Sequence, residues 1–304
     1  MRIGIPRALL YYWYGTLWAD YLTECGIEVV VSAPTERETI SAGAEVGVDE
    51  LCLPMKIFLG HIRQLAETVD RILIPHLIKI EKDAYICPKF MGLPDIAAHA
   101  LPQLRSQLLV LRVGPDELDM GQCLRSTMAK LGVKGPRHFN GTEVTPARKL
   151  IEELCHFPDD SIGITFGLLG HPYCLYDSCF NLNLLEKLVL ERVRVLTPEQ
   201  TPVGYHGIGS GKLTKDLFWT IGRSQFDALE WMLTSSQPPV DGFIQVVPFA
   251  CGPEAIVGDM LERRIKEAGK PMLKLYFEEH SGETGMITRL EAFLDLIRYR
   301  SRAC

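Results

Sequence analysis

The chain has 304 residues, 47% apolar and 23% charged, with a formal net charge of -6. That composition is too apolar and too weakly charged for a disordered chain, and without a clustered basic stretch it lacks the footprint of a nucleic-acid binder. At roughly 150 residues per domain the length fits two domains with separate cores. No apolar run reaches the ~20 residues of a membrane span, and MRIGIP enters a strand at once, which leaves no room for a signal peptide. The reading is a soluble, cytoplasmic protein.

Ile3 and Ile5 alternate in a first strand that stops at Pro6. From Leu10 through Trp13, Tyr14, Leu17, Trp18, Tyr21, Leu22 and Cys25, apolar residues recur at helical spacing, and Gly26 stands where a left-handed cap belongs. IEVVVSA predicts a second strand and DRILIPHLI a third, with a helix over residues 54–67 between them. A helix over 145–157 closes this half, and FPDD makes a turn. The second half repeats the alternation. SIGITFG predicts a strand, CFNLNLLEKLVLERV a helix and VRVLTP a strand. DGFIQVVPF and PMLKLYF are two more strands around the helix PEAIVGDMLERRIKEAG, and MITRLEAFLDLIRYR is a final helix. Strands alternating with helices imply an α/β fold with mostly parallel sheets. The predicted organisation is two α/β domains, residues 1–155 and 156–304.

Nine cysteines are the unusual feature. An odd count without a secretion signal is poor support for a disulfide framework. Cys25, Cys123 and Cys155 fall on apolar helix faces and read as core residues, and Cys304 is the last residue. The other five occupy turns beyond predicted strands or just before helices: Cys52 in LCLPMK, Cys87 in YICPKFMG, Cys251 in PFACGPEAI, and Cys174 and Cys179 in GHPYCLYDSC. Open α/β sheets bind ligands beyond the carboxyl ends of their strands, and helix N-termini there favour thiolate. Pro54, Pro88 and Pro253 stiffen three of these segments. Three thiolates from separate loops suit a [4Fe–4S] cluster or a zinc ion, each with one open site, and spacing alone does not choose between them.

The motifs GIPRALLYYWYG, CLPMKIFLGHIRQL, YICPKFMGLPD, GHPYCLYD, FACGPEAIVGDML and EEHSGETGMITRLEAFLD, taken in order, resemble the 2-hydroxyacyl-CoA dehydratase D-component family. The likeness is to its short branch, related to acyl-CoA dehydratase activase proteins and double-cubane cluster proteins. The resemblance implies two Rossmann-like domains with mostly parallel sheets flanking a cysteine-lined cleft, and a [4Fe–4S] cluster held by Cys52, Cys87 and Cys251, with Cys174 as a further candidate if the cluster is a double-cubane [8Fe–9S]. It also implies an ATP-dependent activase as electron donor, and a homodimer. Relatives either dehydrate 2-hydroxyacyl-CoA or reduce small molecules. The chain is shorter than the dehydratase subunits, and it has no second cysteine triad.

Lys56 and Lys89 lie close behind two of the proposed ligands. There they would raise the potential of an anionic cluster, unless they are solvated surface lysines. Glu278, Glu279, His280 and Glu283 crowd the turn after PMLKLYF, which gives Glu279 and His280 a candidate acid/base role, shared by His171 beside Tyr173. Thr288 and Glu291 fit a capping box at a helix start. HGIGSGK, residues 206–212, lacks the first glycine and the final Ser or Thr of a phosphate loop.

Overall fold

A computed structural model of the chain describes residues 1–136, 139, 145–154 and 163–303. The fold is α/β, with two four-stranded parallel sheets. The chain divides into two compact units, Met1–Lys149 with Phe218–Thr220, and Leu150–Leu217 with Ile221–Cys304. The FPDD turn, Cys155, the 155/156 boundary and Cys304 lie outside the described residues.

In the first unit the elements run β1 (Arg2–Ile5), α1 (Tyr11–Glu24), β2 (Glu28–Val31), α2 (Arg37–Ala44), α3 (Leu53–Ala66), β3 (Arg71–Leu77), α4 (Pro88–Met91), α5 (Leu93–Ala100), β4 (Leu108–Val113) and α6 (Met120–Ala129). The strand order is β2-β1-β3-β4, with Ile3 opposite Val29 and Ile72 opposite Leu108. β3 is a nearly unbroken apolar run, as expected of a parallel strand covered on both faces, and Ile72, Leu73 and Ile74 are fully buried. Trp18, Tyr21 and Leu22 bring the α1 stripe onto this core.

Helices α2 and α3 touch backbone to backbone. A Cβ built on Gly43 would stand 1.7 Å from the Lys56 carbonyl oxygen, and one on Gly60 would stand 2.0 Å from that of Thr39. Only glycine permits this approach, and it fixes α3, the helix that Cys52 precedes. The segment 218–220 completes the unit: Tyr85 N–H donates to Phe218 O at 2.9 Å, and Thr220 N–H donates to Tyr85 O at 3.0 Å.

After α7 (Pro146–Leu154), the second unit runs β5 (Ile164–Gly170), α8 (Pro172–Leu175), α9 (Leu184–Leu190), β6 (Val193–Leu196), α10 (Thr220–Thr234), β7 (Gly242–Pro248), α11 (Gly252–Glu267), β8 (Met272–Phe277) and α12 (Glu283–Ala303). Its strand order is β6-β5-β7-β8, with Gly167 opposite Phe243 and Ile244 opposite Leu273. β5 and β7 are buried at every position. Phe293, Leu294 and Ile297 of α12 seal this core, with Phe166 and Phe293 rings 5.2 Å apart.

Several expectations need correction. The helix predicted from Cys179 begins only at Leu184, because Leu182 and Asn183 adopt φ of 56° and 58°. Asn181, 1% exposed, ties that turn by donating to the carbonyls of Cys174 and Leu175. The last helix starts at Glu283, so Thr288 sits inside it and bonds Thr284 O at 3.0 Å; it caps nothing. Cys25 lies just past the end of α1, half-buried rather than in the core. α2, α5, β4 and α10 were not anticipated. No described helix is long and apolar enough to cross a membrane.

Candidate functional site

Three of the candidate cysteines share a local design. Cys52, Cys87 and Cys251 each occupy the N-cap of a helix, α3, α4 and α11, with extended backbone and a proline in the first turn. Proline suits that position because its missing N–H has no helical partner anyway. Thiol is a poor cap compared with Ser, Thr, Asp or Asn, and none of the three makes a side-chain cap bond.

Cys52 and Cys87 belong to the first unit. Cys52 is buried and Cys87 half-buried. The N–H groups of Met55, and of Lys89 and Phe90, approach the two sulfurs, and the Cys52 thiol is hydrogen-bonded by Lys89. Lys89 Nζ also donates to Glu50 O at 3.1 Å. Burial pushes the Cys52 thiol up from its ordinary range, and Lys89 and the backbone donors only partly offset that. Burial and the neighbouring Cys52 act the same way on Cys87. Both thiols therefore keep their protons at neutral pH. Lys56 is not a solvated surface residue, being 3% exposed, whereas Lys89 is half-buried and engaged as described.

Cys251 belongs to the second unit. β7 ends at Pro248, Ala250 takes a left-handed φ of 61°, and Cys251 opens α11. A non-glycine residue in that conformation is uncommon and marks a tightly specified elbow. Three residues on, Glu254 is 1% exposed and central to a buried polar network. His171 Nε2 lies 2.9 Å from it, Gln225 Nε2 donates at 3.0 Å and Gln245 Nε2 at 2.6 Å. Burial alone would raise the Glu254 carboxyl, but the His171 charge and these hydrogen bonds hold it below the usual carboxylate range. Tyr173 Oη is 2.5 Å from His171 Nδ1. His171 itself caps α8 and is followed by Pro172, the pattern seen at the cysteines. Glu254, Gln225 and Gln245 were not singled out from the sequence, although one polar residue in the apolar run GFIQVVP was a legible signal.

A cavity of about 480 Å³ opens beside this network, lined in part by Cys251, Gln245, Glu254, Phe249, Lys274 and Tyr276. Cys174 is fully buried in α8 and Cys179 half-buried in the following turn. Glu278, Glu279 and His280 form a turn closed by Ser281, whose Oγ accepts from Glu278 N–H at 2.9 Å. His280 is exposed and Glu279 half-buried. Glu283 pairs with Lys187 at 2.7 Å.

Residues 206–212 cannot cradle a phosphate. The N–H groups of Gly207 and Ser210 already donate to Asp227, at 2.7 and 2.8 Å, and Lys212 pairs with Glu230 at 2.6 Å. Among the described residues, no group of three or more His, Cys, Asp or Glu side chains is placed to hold a metal ion.

These features define a two-unit α/β protein with cysteine-capped helices beyond the strand ends of both sheets. Residues 2–200 match the family described as the CoA enzyme activase uncharacterised domain. The chain belongs to that activase-related family; the dehydratase D-component that its motifs resemble is not the family matched. No curated protein matches the sequence. Among solved structures, a LacI family transcriptional regulator from Bifidobacterium animalis subsp. lactis is 14% identical, covering 90% of this chain and 76% of that one. Its TM-score of 0.21 is too low to relate the two folds.

Proposed function

We infer that the chain is the iron–sulfur component of a CoA-enzyme activase system. In this reading Cys52, Cys87 and Cys251 hold a [4Fe–4S] cluster that receives electrons from an ATP-dependent partner. The observation that supports it is the repeated N-cap cysteine with a first-turn proline, reinforced by Lys89 at the Cys52 thiol. The donor chemistry at Cys52 and Cys87 supports the reading: soft sulfur donors, backbone N–H groups directed at the sulfurs and a nearby ammonium are the levers by which proteins hold and tune iron–sulfur clusters. When bound, the cluster would supply one-electron chemistry and an open iron. The chain's own contribution is to fix the thiols at rigid helix starts and to offset their negative charge through Lys89 and the helix N-termini.

Iron, acid-labile sulfide and zinc per chain, measured on protein purified without oxygen, test this. About four iron and four sulfide support a single cubane, and about eight iron the double-cubane form. Zinc near one per chain with no sulfide would refute the cluster.

The family's description favours a second reading, in which the chain itself acts on the activating side. ATP hydrolysis by the isolated chain would establish that reading, and the Asp227-filled Gly207–Ser210 segment argues against that segment as its nucleotide site. A dehydratase subunit would instead bind acyl-CoA directly.

A further inference from the structure

Every residue from Ile3 to Leu10 is buried except Arg7, which is half-buried. Arg7 follows Pro6 at the carboxyl end of β1, and its backbone N–H donates to the Oγ of buried Ser32 at 2.8 Å. Two residues on, Leu9 takes a left-handed φ of 55°, which a non-glycine residue keeps only where its surroundings hold it. The turn from β1 into α1 is thus held to one shape, with the Arg7 side chain in reach of solvent. β1 lies between β2 and β3, so the strand order reverses across it, and open α/β sheets bind ligands beyond the strand ends at such a point.

What the Arg7 guanidinium lacks is an acceptor. Among the described residues it has no hydrogen bond and no carboxylate partner, and its carbon lies 5.7 Å over the Tyr11 ring. Of its three nitrogens only Nε is shut from water without a partner, which leaves the two Nη as donors open to a ligand. Stripping part of the water from a charged group without replacing it is unfavourable, and the first turn of α1 holds no acid to offset the charge. His61, which feels that charge, offers no compensation: burial, then Arg7, lowers its pKa to about 4, so the imidazole is neutral at neutral pH.

The second unit shows the corresponding position satisfied. β5 stands in its sheet where β1 stands in the first, and just beyond it His171 meets Glu254 at 2.9 Å. Among the described residues Arg7 has no counterpart of Glu254, so the negative charge is left for a ligand to bring.

We propose that Arg7 is an oxyanion anchor: a carboxylate or phosphate group of a small molecule seats beyond the carboxyl end of β1, bridged by the two Nη. The guanidinium fork matches either group with two parallel hydrogen bonds, and the positive end of α1 adds to the attraction. The site is independent of the cysteines and holds whether or not they carry iron.

The probes are acetate and inorganic phosphate, each titrated at constant ionic strength against chloride into the full chain carrying isotopically labelled arginine. The Arg7 Nε–H signal, assigned by its loss in Arg7→Lys, should shift saturably with at least one of them. Half-saturation should fall at about a tenth of the chloride concentration that moves the same signal. A response to acetate alone assigns a carboxylate, one to phosphate alone a phosphate, and one to both a shared oxyanion site. The responding anion should also raise the thermal midpoint of the wild-type chain. Arg7→Met should abolish that rise, yet unfold without anion at a midpoint no lower than wild type, because it removes an uncompensated charge. An arginine with a merely structural role would instead cost stability in both conditions. No saturable shift, a chloride response of equal strength, a rise that survives in Arg7→Met, or a lower midpoint for Arg7→Met without anion would overturn the proposal.

Discussion

In each unit the third strand in chain order, β3 or β7, is buried along most of its length and leads to a cysteine that caps the next helix, Cys87 before α4 and Cys251 before α11. The strand orders β2-β1-β3-β4 and β6-β5-β7-β8 correspond element by element. What surrounds the two cysteines differs. In the first unit a second thiol, Cys52, and an ammonium, Lys89, lie close by. In the second, a buried imidazole–carboxylate pair and a cavity take their place. The sheet fixes where a site forms, and the few residues after each strand decide its chemistry.

The contrast breaks most sharply at Glu254. Glu254→Ala leaves His171, Gln225 and Gln245 buried without their shared partner, and should cost about 3–5 kcal/mol, the usual penalty for halving a buried pair. Chemical denaturation should show the loss in the second unit, with the first unit unaffected.

The first unit has its own buried titratable group. His61 is fully buried, hydrogen-bonded to Thr35 Oγ1 at 3.0 Å through Nε2, with Nδ1 unpartnered among the described residues. Burial, then the charge of Arg7, lowers its pKa from 6.5 to about 4. Between those values the unfolded chain takes up a proton that the folded one does not, so stability falls as pH drops through the window and levels off below about 4. The full loss approaches about 3 kcal/mol. His61→Phe should flatten that pH dependence in urea titrations at pH 4 to 7, and an unchanged slope would remove His61 as its source.

Gly60→Ala tests the α2–α3 contact that positions Cys52. Its Cβ meets the Thr39 carbonyl, so the helices must separate at about 1–3 kcal/mol, and iron retention should fall with stability. The smallest effect is Thr288→Ala. A lost cap would cost about 1 kcal/mol, whereas a hydroxyl bonded to the carbonyl four residues back inside a helix should change stability by under about 0.5 kcal/mol.

Much of this fold was legible. β3, β5 and β7 appear as apolar runs because both faces of a parallel sheet are covered, and α1 announces itself by spacing and Gly26. The start of α9 was hidden because Asn181 reverses the chain through side-chain bonds that no apolar period reveals. The cysteine–proline segments after Cys52, Cys87 and Cys251 were visible as stiff thiol-bearing turns. That the Lys89 ammonium reaches the Cys52 thiol was not, since it depends on how α3 and α4 pack. Glu254 escaped notice because an acid in a first helical turn ordinarily reads as a complement to the helix dipole. Its partners come from the N-cap of α8, β7 and α10, far apart in sequence.

The most direct test of the account is iron and acid-labile sulfide per chain in Cys52→Ala, Cys87→Ala and Cys251→Ala, with Cys25→Ala as the comparison. The account predicts that each of the first three loses the cluster while Cys25→Ala keeps it. Full iron and sulfide in any one of the three would contradict the ligand assignment.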